Sequence, residues 1–267
     1  MTLALTPVAS RAGWFTQAAQ VLHRWLISTM RQVWGPVMSL IQPVIWIVLF
    51  GEVFQSLGAL PQFGGEGYID YLVPGILMMT VLYSGAWAGT GYIDDINSGV
   101  MDQYLTSPVQ RSAIITGQLV QQLIINLAQS FVVLGIGWLA GARYPGGIGG
   151  ILVALGVATL LATVFCCAST AVALTARSQI ALISLSQLIV LPATFLSTTM
   201  MPADLMPQWV QDVSRWNPMT WAVEVGRGGL SGEYPASSWW QVGGLAVLAA
   251  LAFFWALRSI RAYQRSV

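Results

Sequence analysis

The 267-residue chain contains no lysine, and all eleven of its basic residues are arginine. The phosphate-binding loop G-x-x-x-x-G-K-[ST] depends on a lysine that reaches the β- and γ-phosphates, so no Walker-type nucleotide site can be built from this sequence. Charge of either sign is scarce, at 8% of residues against roughly a quarter in an ordinary soluble domain. So few charges cannot clothe a water-soluble surface of this length. There is one histidine, His23, and no H-E-x-x-H pattern, which leaves a hydrolytic metal centre without its ligands. At a net charge of +1 no nucleic-acid partner is expected. The two cysteines, Cys166 and Cys167, are adjacent inside an apolar stretch, where neither a disulfide nor a metal site is served. They read as small packing residues.

What the chain holds instead is apolar length. Hydrophobic residues make up 56% of it, gathered into stretches of the ~20 residues that a helix needs to cross a hydrocarbon core of roughly 30 Å. Six spans are expected, at about Val37 to Phe54, Tyr71 to Ile93, Ile114 to Leu139, Ile151 to Leu174, Ile180 to Met200 and Trp239 to Leu257. Pro43 and Pro74 interrupt the first two, where kinks are expected and neighbouring helices can re-satisfy the freed carbonyls. Ahead of the spans, Trp14 to Trp34 alternates apolar positions with Gln17, Gln20, His23, Arg24 and Arg31 at helical spacing. Such a helix suits the headgroup region and is expected to float along the cytoplasmic interface. Arg11 is followed by no compact apolar core and cleavage site, so no removable signal peptide is expected.

Orientation follows from the arginines, which favour the cytoplasmic side of short loops. With both termini inside, the inner segments carry Arg11, Arg24, Arg31, Arg111, Arg177, Arg258, Arg261 and Arg265, and the outer ones only Arg143, Arg215 and Arg227. Two connections are more than loops. Between spans two and three, Val100 to Leu105 reads as a short exposed cytoplasmic helix that Ser107-Pro108 ends. Between spans five and six, Pro202 to Val213 and Asn217 to Leu230 read as two half-helices dipping into the outer leaflet, a broken arrangement allowed at membrane depth when it is buried against protein. The fold class is thus an all-α polytopic membrane protein with both termini cytoplasmic. Its single domain divides into a tail and interfacial helix (1–35), a six-span core (36–257) and a second tail (258–267).

These segments carry a resemblance. The run from Asp95 to Arg111, with Gly99, Asp102, Leu105, Pro108, Val109 and Arg111 at kept spacing and Gly117 following, resembles the inner connection of the type-2 ABC exporter permeases. Phe195-Leu196-Ser197, Leu205-Met206-Pro207, Trp209, Asn217-Pro218 and Arg227 resemble that family's outer re-entrant hairpin, and Tyr71 to Ile76 the start of its second span. Size and the stretch Arg111 to Ile114 are most similar to actinobacterial daunorubicin-type drug and lipid exporter permeases. Two positions depart from the pattern: an acid-arginine-acid run is here Asp95-Ile96-Asn97, and a lysine after the late glycine is Gln118.

The resemblance implies a permease subunit that dimerises with an identical or paralogous chain in a bacterial plasma membrane. It would move a hydrophobic or amphipathic drug, lipid or glycolipid outward, a role tied to antibiotic resistance. Two separate ABC ATPase subunits would supply the force, holding the ATP and Mg that this chain does not bind. It also implies that Asp95, Gly99, Asp102, Leu105, Pro108 and Arg111 belong to a coupling helix seated in the ATPase. There Asp95 and Asp102 would face its arginines, Leu105 would anchor the helix and Pro108 would fix its angle. Export of lipid-linked glycans by the same architecture is an alternative, as is a membrane-embedded lipid-modifying enzyme, for which the sequence offers no convergent catalytic groups.

Other candidates come from the residues alone. Glu52 is an ionisable group near the outer end of span one, and such groups are functional candidates by default. Trp46 and Trp87 sit deeper in the spans than the remaining tryptophans, most of which fall at interfaces, and could form a substrate-facing wall. Glu224 and Arg227, three apart, could pair on one helix face and latch an outer gate, although an exposed and weak pair is the simpler reading.

Overall fold

The structure is a computed structural model that describes residues 13–31, 34–54, 67–106, 109–233 and 238–265. Among those residues every regular element is helical. In chain order they are α1 (Trp14–Arg31), α2 (Trp34–Val53), α3 (Tyr68–Trp87), α4 (Thr90–Asn97), α5 (Val100–Thr106), α6 (Arg111–Leu139), α7 (Gly147–Ala176), α8 (Gln179–Phe195), α9 (Gln208–Ser214), α10 (Pro218–Ser231) and α11 (Ser238–Gln264). A single 3-10 turn, Ala203–Leu205, precedes α9.

Among the described residues four segments are long and apolar enough to cross a membrane: Tyr68–Asn97, which joins α3 to α4, and α6, α7 and α11. They fall on the expected spans two, three, four and six. The expected spans one and five are present as shorter apolar helices, Val37–Val53 and Gln179–Phe195. At 17 residues the second of these rises about 26 Å, a little under the hydrocarbon thickness. Both α2 and α3 run through their prolines, Pro43 and Pro74, without a break in the helix.

Packing centres on α7, against which α3, α10 and α11 lie. Glycines bring α7 and α10 into backbone contact: a Cβ on Gly146 or Gly150 would strike the carbonyl oxygen of Gly229, and Gly146 N donates to Leu230 O at 2.9 Å. Gly150→Val should therefore unseat α10, with an overpacking penalty of roughly 3 kcal/mol. A lowered melting temperature of the purified chain would register this, and a variant melting with the parent would show that the contact is not made.

The connection between α8 and α11 forms as expected in part. Asn217 caps α10, its Oδ1 accepting from Met219 N at 2.9 Å, with Pro218 at the first helical position. The preceding piece is not one helix. Pro207 lacks an N–H and pushes Met206 into extended backbone (φ −91°, ψ 153°), so Pro202 to Val213 divides into the 3-10 turn and α9. The N-terminal helix also differs from expectation, since α1 packs along α6 instead of floating free. Val21 is buried on Gly117, Trp14 Nε1 donates to Ser112 Oγ at 2.8 Å, and Gln121 Nε2 to Thr29 Oγ1 at 2.8 Å.

Candidate functional site

The connection between α4 and α6 is built around a reversal. After α4 ends, Gly99 takes φ +74°, a left-handed conformation that glycine adopts without strain, and the chain turns back into α5. Met101 is fully buried in an apolar cluster with Tyr92, Ile114 and Ile260, which pins α5 beneath the bundle. The opposite face, with Asp102 and Gln103, is exposed. Arg111 is exposed at the start of α6, so Gly99, Asp102 and Arg111 share one end of the fold. The Leu105 side chain and Pro108 lie outside the described residues.

Asp95 does not share that exposed surface. It is buried, and Arg24 of α1 grips its carboxylate with both terminal nitrogens, Nη1 donating to Oδ1 at 2.9 Å and Nη2 to Oδ2. The bidentate arrangement combines charge with fixed geometry. Burial lowers the Arg24 pKa, but the hydrogen bond and charge of Asp95 raise it by more, so the guanidinium sits above its ordinary value. The same guanidinium lies 4.7 Å from the Trp25 ring centroid and 5.2 Å from that of Tyr104 in α5. One arginine therefore ties α1, α4 and α5 together. Gln118, at the position of the family's lysine, is also internal: its Nε2 donates to Ala88 O at 2.8 Å and its Oε1 accepts from Thr170.

A second ensemble was not anticipated from the sequence. Gln118, Gln121, Gln122, Asn126 and Gln129 form a buried amide stripe along one face of α6. Gln122 Nε2 donates to Ser84 Oγ at 2.7 Å and Gln129 Nε2 to Ser39 Oγ at 2.6 Å, so the stripe reaches α3 and α2 as well as α1. The 3, 4, 8, 11 spacing was legible as a signal, because five amides on one face of an apolar span must be satisfied internally. A groove of about 670 Å³ runs over this stripe between α1, α2, α4 and α6. Ser39, Gln42, Ser84 and Trp87 are shared with a deeper, mostly apolar cavity that also holds Trp46, Met79 and Tyr83. The structure thus brings Trp46 and Trp87 together, with Trp46 stacked on Phe50 at 4.8 Å. Glu52 is exposed further along α2 and lines neither space.

At the opposite end of the bundle, the expected Glu224–Arg227 pair is replaced by separate contacts. Arg227 is partly buried, donates to Tyr71 O at 3.2 Å and Thr198 O at 3.0 Å, and lies 3.6 Å from the Tyr71 ring centroid. Glu224 accepts instead from Gln241 Nε2 of α11. The reason is competition: two backbone carbonyls and a ring face satisfy a guanidinium in an apolar setting better than one neighbour on its own helix.

A bundle of apolar helices with a pinned, acid-faced short helix at one end and a broken hairpin at the other is the architecture of a polytopic membrane protein. Residues 16–230 match the model of the ABC-2 type transporter family, and the chain belongs to that family. It is a permease subunit of the ABC transporter type, a class that works with separate ABC ATPase subunits. The chain is 26% identical over 225 residues to the daunorubicin resistance ABC transporter permease protein DrrB1 of Streptomyces coeruleorubidus, covering 84% of this chain and 77% of that protein. It is 28% identical over 205 residues to ycf38 of Cyanophora paradoxa, a protein named as a transport permease, covering 76% and 70% respectively. Against DrrC of Mycobacterium tuberculosis, named as a doxorubicin resistance permease, identity is 22% over 212 residues, covering 79% and 74%.

Proposed function

We propose that the chain is the membrane half of an ATP-driven exporter in a bacterial plasma membrane, moving a hydrophobic or amphipathic molecule outward. In this reading α2 and α8 complete a set of six spans with both termini cytoplasmic. Two ATPase subunits, which hold ATP and Mg, dock on the exposed face of α5, and a second permease chain completes the pathway. The observation that carries the reading is the two-sidedness of α5, with Met101 fixed inside and Asp102 presented outward. A helix held this way transmits a push from a cytoplasmic partner into α4 and α6.

The groove and its aromatic cavity supply the amphipathic half of the proposal. Amide and hydroxyl groups line the outer reach and Trp46, Met79 and Tyr83 the inner one, a division that suits a molecule with a polar head and an apolar body. The names of the Drr relatives agree with such a substrate. Co-expression with a candidate ABC ATPase subunit and purification through a tag on the permease alone provides the test. A stoichiometric ATPase whose turnover rises in the complex is expected, and turnover by the permease alone would overturn the reading.

A further inference from the structure

The cytoplasmic ends of α6 and α11 border a pocket of about 520 Å³ that lies outside both α5 and the groove. Arg111, Arg261 and Arg265 converge on it, Val109, Gln110, Ser112 and Leu257 complete its wall, and among the described residues no acidic side chain lines it. Among the described residues none of the three guanidiniums has a hydrogen-bonding or ionic partner, in contrast to Arg24 and Arg227. Three unneutralised cations converge here, beside the N-terminus of a 29-residue helix, whose dipole adds to the positive potential.

We propose that this pocket binds the phosphate of an anionic phospholipid in the cytoplasmic leaflet. Depth argues for a lipid over a soluble partner. From Trp239, an exposed tryptophan at the other end of α11, to Arg261 is a rise of about 33 Å, the thickness of the hydrocarbon core. From Trp138, exposed near the far end of α6, to Arg111 is about 40 Å, which reaches into the headgroup layer. At the pocket's edge Ser112 accepts from Trp14 at the start of the amphipathic helix, next to the fully outward Phe15, so an interfacial anchor sits at the same level. Leu257, one turn inward from Arg261, offers the first acyl carbons an apolar wall. The arrangement places phosphate against guanidinium and chain against leucine, as a lipid requires.

The full chain in nanodiscs of phosphatidylcholine, with phosphatidylglycerol added stepwise, provides the test by native mass spectrometry and by thermal melting. Retained phosphatidylglycerol and a rising melting temperature are expected. The double variant R261Q/R265Q should weaken retention by about 25-fold, roughly fivefold per arginine. The charge-matched double variant R31Q/R258Q, which alters exposed arginines outside the pocket, should leave retention near the parent's. Equal loss in both variants would mean diffuse surface charge and overturn the site. Displacement of the lipid by millimolar glycerol phosphate would reassign the pocket to a soluble phosphate. R261Q/R265Q keeping its lipid but losing the ATPase would reassign it to that partner. Should the double variant fail to fold, R265Q alone, at the frayed end of α11, carries the same comparison at fivefold.

Discussion

Arg24→Leu is expected to destabilise the permease by about 3 kcal/mol and to weaken the response of its ATPase. Asp95 is buried at the wall of the groove, and removing its bidentate partner leaves its carboxylate without a counter-charge. Breaking such pairs costs about 3–5 kcal/mol in full burial, and the partial exposure of the Arg24 side chain, 35%, places this one at the lower end. The double variant Arg24→Leu with Asp95→Leu should recover about 2 kcal/mol of the loss, because the orphaned charge is gone. Melting of the single and double variants checks this, and strictly additive losses would mean that the two side chains do not act as a pair. ATPase stimulation should stay low in both, since the tie between α1, α4 and α5 is lost either way.

Asp102→Arg is expected to act in the opposite manner, sparing stability and abolishing coupling. Asp102 is exposed, and exposed substitutions of this kind usually change folding by about 0.5 kcal/mol or less. Reversing its charge would set like charges against a basic docking surface, which costs several kcal/mol. Stimulated ATP hydrolysis by the reconstituted complex should fall at least about tenfold while the melting curve stays in place. Undiminished hydrolysis would remove Asp102 from the docking surface.

The difference between the two aspartates shows where a sequence is readable and where it is not. Four of the six span positions, the short helix at Val100 to Leu105 and the capped α10 were legible because each rests on local signals: apolar length, a terminating proline and an Asn-Pro start. The partner of Asp95 was not, because Arg24 lies 71 residues away and its choice depends on how α1 folds back. The same holds for Arg227, whose acceptors are backbone carbonyls of Tyr71 and Thr198 that no side-chain pattern announces. Pro207 could have been read as the break in the outer hairpin from residue type alone. So could the amide stripe on α6, had periodicity been sought among polar residues within an apolar span.

That stripe divides the bundle mechanically. The seams joining α6 to α1 and α2 carry neutral hydrogen bonds, Trp14 to Ser112, Gln121 to Thr29 and Gln129 to Ser39, and such bonds inside membranes average about 0.6 kcal/mol. Across the molecule α7 and α10 meet backbone to backbone through their glycines, with no side chain between them to yield. One flank is stitched with threads that thermal motion can slip, and the other is welded. Any motion that widens the groove is therefore expected to slide α2 against α6, while Arg24 keeps α1 with α4 and α5 and the body formed by α7 and α10 keeps its shape.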